Sequence, residues 1–172
     1  MDRDQQRSFI ARLTCDGMNL TYFDNIITTF EVFNRHTGKM RRTANNNTTA
    51  IVVHFRCYDD YYNLQILSEP FYLKYFSKNP DGILGAFPAA GGDTTSYNML
   101  DGDHDLITLD DFAPDTSRVY LKARNAGLIR KSILPEPILK SCFTDTEGDV
   151  VEFRLEILET QVAVPSSAMP YT

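Results

Sequence analysis

Apolar residues recur at every second position in the clearest segments of this chain. Phe9, Ala11, Leu13 and Cys15 form one series, and Val151, Phe153, Leu155 and Ile157 form another, with Glu152, Arg154 and Glu156 between them. A strand with one buried face produces that period. Turn-forming clusters interrupt the runs: Asp16-Gly17, Thr37-Gly38, Asn45-Asn46-Asn47, Asn79-Pro80-Asp81-Gly82, Asp101-Gly102-Asp103 and Glu147-Gly148-Asp149. Many short strands separated by such turns predict an all-β architecture. No long segment combines a 3.6-residue apolar period with helix caps, so helix should be scarce.

A short pattern also repeats. Leu73 in Phe71-Tyr72-Leu73-Lys74-Tyr75 and Leu121 in Val119-Tyr120-Leu121-Lys122-Ala123 lie roughly 50 residues apart, each followed by a glycine and a new apolar stretch. Leu20-Thr21-Tyr22-Phe23 is a poorer copy upstream. A second series comprises Asn63–Leu67, Leu106–Leu109 and Phe153–Leu158. Three copies of such a unit predict a β-trefoil, a six-stranded barrel with three hairpins, and barrel closure removes exposed strand edges. The expected units are 8–67, 68–110 and 111–160, forming one domain over 1–160, followed by a polar, proline-bearing tail or linker over 161–172. A β-sandwich is the alternative. Core candidates include Phe9, Leu13, Val53, Phe55, Leu64, Leu73, Leu121, Phe153 and Leu155.

Charge narrows the partners. A net charge of −6 argues against general affinity for nucleic acid or an anionic membrane, which both need clustered cations. No apolar run approaches the length of a membrane span, and no signal-peptide core follows the charged N-terminus, so a cytoplasmic or leaderlessly exported protein is expected. The three cysteines, Cys15, Cys57 and Cys142, lack metal-ligand spacing and read as free buried thiols.

Catalytic chemistry is hard to assemble from these residues. His36, His54 and His104 are scattered, and no nucleophile-elbow, zinc-protease or phosphate-loop motif is present, so neither an enzyme nor a cofactor is expected. Asp101-Gly102-Asp103-His104-Asp105 begins like a calcium loop, but Leu106 and Phe112 occupy positions needing a glycine and a bidentate glutamate. A solvated turn is the better reading.

Binding of a small polar ligand asks for something different. Sugar rings pack C–H faces on aromatic surfaces, while amide and carboxylate groups bond their hydroxyls. Tyrosine is plentiful at nine residues, with no tryptophan. Three segments combine tyrosine with polar groups: Tyr58–Asn63, Tyr75–Asp81 and Thr94–Asn98. Within them Tyr75, Asn79, Asp81, Tyr97 and Asn98 are the candidate ligand-binding residues.

The third unit carries a resemblance. Ser117–Lys131, Cys142 and Val151–Glu159 resemble the agglutinin domain of amaranthin-like lectins, in which an x-φ-x-L-x-x-x-x-G strand is followed by basic residues and a closing x-φ-x-L-x-φ strand. The resemblance implies a β-trefoil that binds galactose-type sugars, with a glycan or glycoprotein as partner and a homo-oligomer interface as one place for the site. It supplies no binding residue position by position. The rival expectation is a protein-binding trefoil, such as a protease inhibitor or an interaction module of a defence or toxin protein. Lys131–Pro137 would be its exposed, proline-stiffened loop.

Overall fold

The computed structural model describes residues 1–43, 49–88, 96–112, 116–165 and 169–171. The chain opens with a five-residue helix, α1 (Arg3–Arg7), started by Asp2, whose carboxylate accepts the Gln5 N–H at 2.7 Å. Alternation then produces β1 (Phe9–Cys15), with Phe9, Ala11, Leu13 and Cys15 all in the main core. Short strands follow: β2 (Met18–Asn19), β3 (Thr21–Phe23), β4 (Ile26–Thr28), β5 (Glu31–Asn34) and β6 (Lys39–Arg42). The chain continues through β7 (Ile51–Tyr58), β8 (Tyr61–Ile66), β9 (Tyr75–Lys78), β10 (Leu84–Phe87) and β11 (Ser96–Leu100). After β12 (Leu106–Ile107) and a single 3-10 turn at Leu109–Asp111 come β13 (Thr116–Ala123), β14 (Arg130–Ile133), β15 (Ser141–Thr144), β16 (Asp149–Val150) and β17 (Phe153–Thr160).

Six of these strands close a barrel. β1 pairs with β7, β7 with β8, β8 with β11, β11 with β13, β13 with β17 and β17 with β1, every pair antiparallel. The ring therefore follows chain order. Phe9, Phe55 and Tyr62 pack inside, with the Phe9 and Phe55 rings stacked at 4.6 Å and Tyr62 edge-on to both. β1 and β17 slip register between Ile10 and Ala11, which pair with Glu159 and Ile157. The slip leaves Leu158 on the bulged strand to pack outward with Ile10 while Ile157 packs against the interior.

Three excursions leave the ring, between β1 and β7, β8 and β11, and β13 and β17. Their hairpins β3–β4, β9–β10 and β14–β15 touch one another. Gly85 of β10 pairs with Ile26 of β4, and Ile83 bridges Thr144. Thr28 and Thr29 share hydrogen bonds with Ser141 at 2.6 Å each. A side chain at Gly85 would lie 2.6 Å from the Asn25 carbonyl oxygen, so the hairpins approach too closely for a Cβ there.

The structure corrects parts of the repeat as it appeared in sequence. Leu121 is buried on β13, but Leu73 lies in the loop before β9, 48% exposed with φ of 70°. The Leu73 and Leu121 segments thus pair a loop with a barrel strand, and Leu73 is no core residue. The strand in the second segment that occupies the ring is β8, so strand–excursion–strand segments divide at Asp59–Asp60 rather than at 67/68. Matching an apolar-x-Leu triplet cannot distinguish these cases, because side-chain burial depends on which strand the backbone pairs with.

The described residues after β17, 161–165 and 169–171, form a strap that packs on the barrel. The Val162 N–H donates to the Ser8 carbonyl at 3.0 Å, and the Tyr171 N–H donates to the Leu67 carbonyl at 2.7 Å. Val162 and Tyr171 cover Ile10, Val52 and Leu67 on the outer wall of the barrel. Among the described residues, no helix is long and apolar enough to cross a membrane.

Candidate functional site

On the β7–β8 hairpin, alternation sends one set of side chains into the barrel and the other outward. The outward set forms three cross-strand pairs: Tyr58 opposite Tyr61, Arg56 opposite Asn63, and His54 opposite Gln65. Gln65 in turn pairs with Tyr75 at the start of β9. The C-terminal strap supplies the far wall through Ala163, Val164 and Pro165. The result is a groove of ≈ 300 Å³ with tyrosine rings, amides, an imidazole and a guanidinium. Pockets that hold small ligands start at about this size and combine apolar surface with a few placed polar groups.

The polar groups have defined partners. Asn63 uses its side-chain oxygen to accept the Ser96 hydroxyl at 2.7 Å, which leaves its NH2 as a donor. Gln65 donates from Nε2 to the Leu73 carbonyl at 3.3 Å, which leaves its oxygen as an acceptor. His54 Nε2 lies 2.6 Å from the Val162 carbonyl oxygen, so it donates there. Burial pushes the His54 imidazole below its ordinary value, the Val162 bond opposes that shift, and nearby Arg56 adds to it. At neutral pH the ring is uncharged.

The rim is an aromatic–cation column. The Arg56 guanidinium lies 5.3 Å from the Tyr58 ring centroid, Tyr58 stacks on Tyr61 at 5.8 Å, and Arg124 covers Tyr61 at 3.7 Å. Arg56 Nη1 also donates to the Ala163 carbonyl at 3.1 Å. Both contacts fix the orientation of the guanidinium.

The five candidates from sequence separate into three places. Tyr75 lines the wall groove. Asn79 and Asp81 lie at the tip of the β9–β10 hairpin, in a second groove of ≈ 520 Å³ with Lys78, Gly82, Asp145 and Thr146. There the Asn79 side-chain oxygen accepts the N–H groups of Asp81 and Ile83, both at 2.9 Å, so it shapes the turn. Lys78 and Asp145 form an ion pair with side chains only 10% and 5% exposed. Tyr97 and Asn98 are buried on β11, Tyr97 completely, and Asn98 donates to the Asp60 carbonyl at 3.2 Å. Neither offers a platform to a ligand. Residues 94 and 95 of the third tyrosine segment fall outside the described residues.

Composition and motif do not point to Arg56, Gln65 or His54 as ligand contacts. The available signal was the outward register of two strands joined by a two-residue turn, which places positions 54, 56 and 58 beside 65, 63 and 61.

The cysteine thiols are held out of use. Burial pushes the Cys15 thiol up to about 12, and Cys57 and Cys142 each up to about 11, so all three stay protonated at neutral pH. Asp101 accepts the N–H groups of Asp103 and Asp105 at 2.9 and 3.0 Å, the bonding of a tight turn. The proposed inhibitor loop is not free along its length. Lys131–Ile133 is paired with β15, and Lys131 Nζ donates to Asp16 at 2.6 Å and Glu31 at 2.7 Å. No model of a known protein family matches the chain, and no curated protein matches it.

Proposed function

We propose that the protein is a non-catalytic carbohydrate-binding module with a β-trefoil fold, and that the wall groove is its sugar site. The fold assignment rests on the six-strand ring in chain order and the three excursions whose hairpins meet. The resemblance of Ser117–Lys131 and Val151–Glu159 to the agglutinin domain points the same way.

One observation carries the ligand class: Tyr58 and Tyr75 share a groove with the Asn63 and Gln65 amides. Tyrosine faces suit the C–H face of a pyranose, and a donor amide beside an acceptor amide suits vicinal hydroxyls. A glycan array probed with the purified full chain tests this. Binding to at least one glycan class, lost in Y75A, is the expected result. Silence across galactose, mannose and sialylated ligands removes the proposal.

A further inference from the structure

The wall groove holds a cation that the protein leaves unneutralised. Although the chain has 23 acidic residues, no aspartate or glutamate among the described residues lines this groove. Among the described residues, Arg7, Arg12, Arg35, Lys78, Arg118 and Lys131 each have a carboxylate within 4 Å; Arg56, like Arg124, Arg130 and several other cations, has none, and of these it is the one that lines this groove. Its partners are the Tyr58 ring and the Ala163 carbonyl, which orient the guanidinium without cancelling its charge. The Ala163 bond uses one of five N–H donors.

From this we infer that the groove is specific for carboxylate-bearing saccharides, of the uronic or sialic acid type, with Arg56 gripping the carboxylate. The inference rests on the carbohydrate reading above and narrows it. A planar guanidinium matches a carboxylate through two parallel N–H···O bonds, and a carboxylate concentrates its single charge on two oxygens where a sulfate ester spreads it over three. Because Arg56 is already oriented by Tyr58 and the strap, little side-chain freedom is lost on binding. The sugar ring then lies across Tyr75, within reach of the Asn63 NH2 and the Gln65 oxygen.

Calorimetric titration of the full chain tests it with three probes: galacturonate, galactose and galactose 6-sulfate. Galacturonate should bind at least tenfold tighter than galactose and tighter than the sulfate, with the margin shrinking as salt is raised. R56Q should abolish the preference for the acid, and R56K should retain part of it, since it keeps the charge but not the fork. Thermal unfolding of each variant verifies that it is folded. Equal binding of galacturonate and galactose overturns the inference and leaves the carbohydrate reading standing, as does an acid preference that survives in folded R56Q. Tighter binding of the sulfate overturns the carboxylate assignment. Failure of all three sugars overturns the inference, and silence on the glycan array removes the carbohydrate reading with it.

Discussion

The wall groove and the tip groove each contain a cation and an asparagine, and they treat the cation in opposite ways. At the hairpin tip, Lys78 and Asp145 are nearly buried and bonded to each other, joining the second excursion to the third. On the barrel wall, Arg56 is oriented by a ring and a carbonyl and has no acid beside it. A cation paired with a buried acid is committed to folding. A cation that is held but unneutralised remains available to a ligand. The tip groove is the larger of the two.

The comparison can be broken at several points. D145A leaves the Lys78 ammonium in a nearly buried site without its partner and should cost about 3–5 kcal/mol in urea unfolding. The loss should be largely recovered by the apolar double variant K78M/D145L. Truncation before Gln161 uncovers Ile10, Val52 and Leu67 and should cost about 3 kcal/mol by the area they lose. Wild-type stability in that variant would mean that the strap only decorates the barrel. Y75A should weaken sugar binding about tenfold, which is ~1.4 kcal/mol. D81A, altering the tip groove, should leave binding within about twofold by the same scale. A tenfold loss in D81A with binding intact in Y75A would exchange the roles of the two grooves.

Burial of His54 confers a dependence on pH. The folded imidazole of His54 titrates below the ordinary value of 6.5, so in that window the unfolded chain holds more protons. Stability from this site is therefore complete above about pH 6.5 and falls as pH drops below it. H54Q should flatten that part of the stability profile, and an unchanged slope would show that another group is responsible. The smallest effect is expected from E136Q. Its partner Arg35 is 2.6 Å away, but both side chains are more than half exposed, so the change should stay below about 0.5 kcal/mol in the same unfolding assay.

Strand periodicity was legible wherever a single face is buried. Phe9, Leu13, Phe153 and Leu155 alternate in sequence and all point into the barrel. Ile10, Val52 and Leu67 did not fit that alternation, because the opposite face of the sheet is covered by the strap. Nothing local in Gln161–Val164 shows that it folds back, since the groups that hold the strap, among them the Ser8 and Leu67 carbonyls and the His54 and Arg56 side chains, lie far away in the chain. Of the candidate site residues, Tyr75 faces the wall groove while Tyr97 is wholly buried, although both lie in tyrosine-rich polar segments. A tyrosine's side of the sheet depends on strand register, which composition does not record.

The amino-acid order alone determined that this chain forms short strands with turns at clusters such as Asp16-Gly17 and Asn79-Pro80-Asp81-Gly82, because those preferences act over a few residues. Only the tertiary structure decided that six strands close in chain order, that the strap forms one wall of a groove, and that Arg56 stands there without an acid. Those outcomes depend on contacts between positions far apart in the chain, as between Arg56 and Ala163. Local pattern cannot specify such contacts, since each exists only once the barrel has closed.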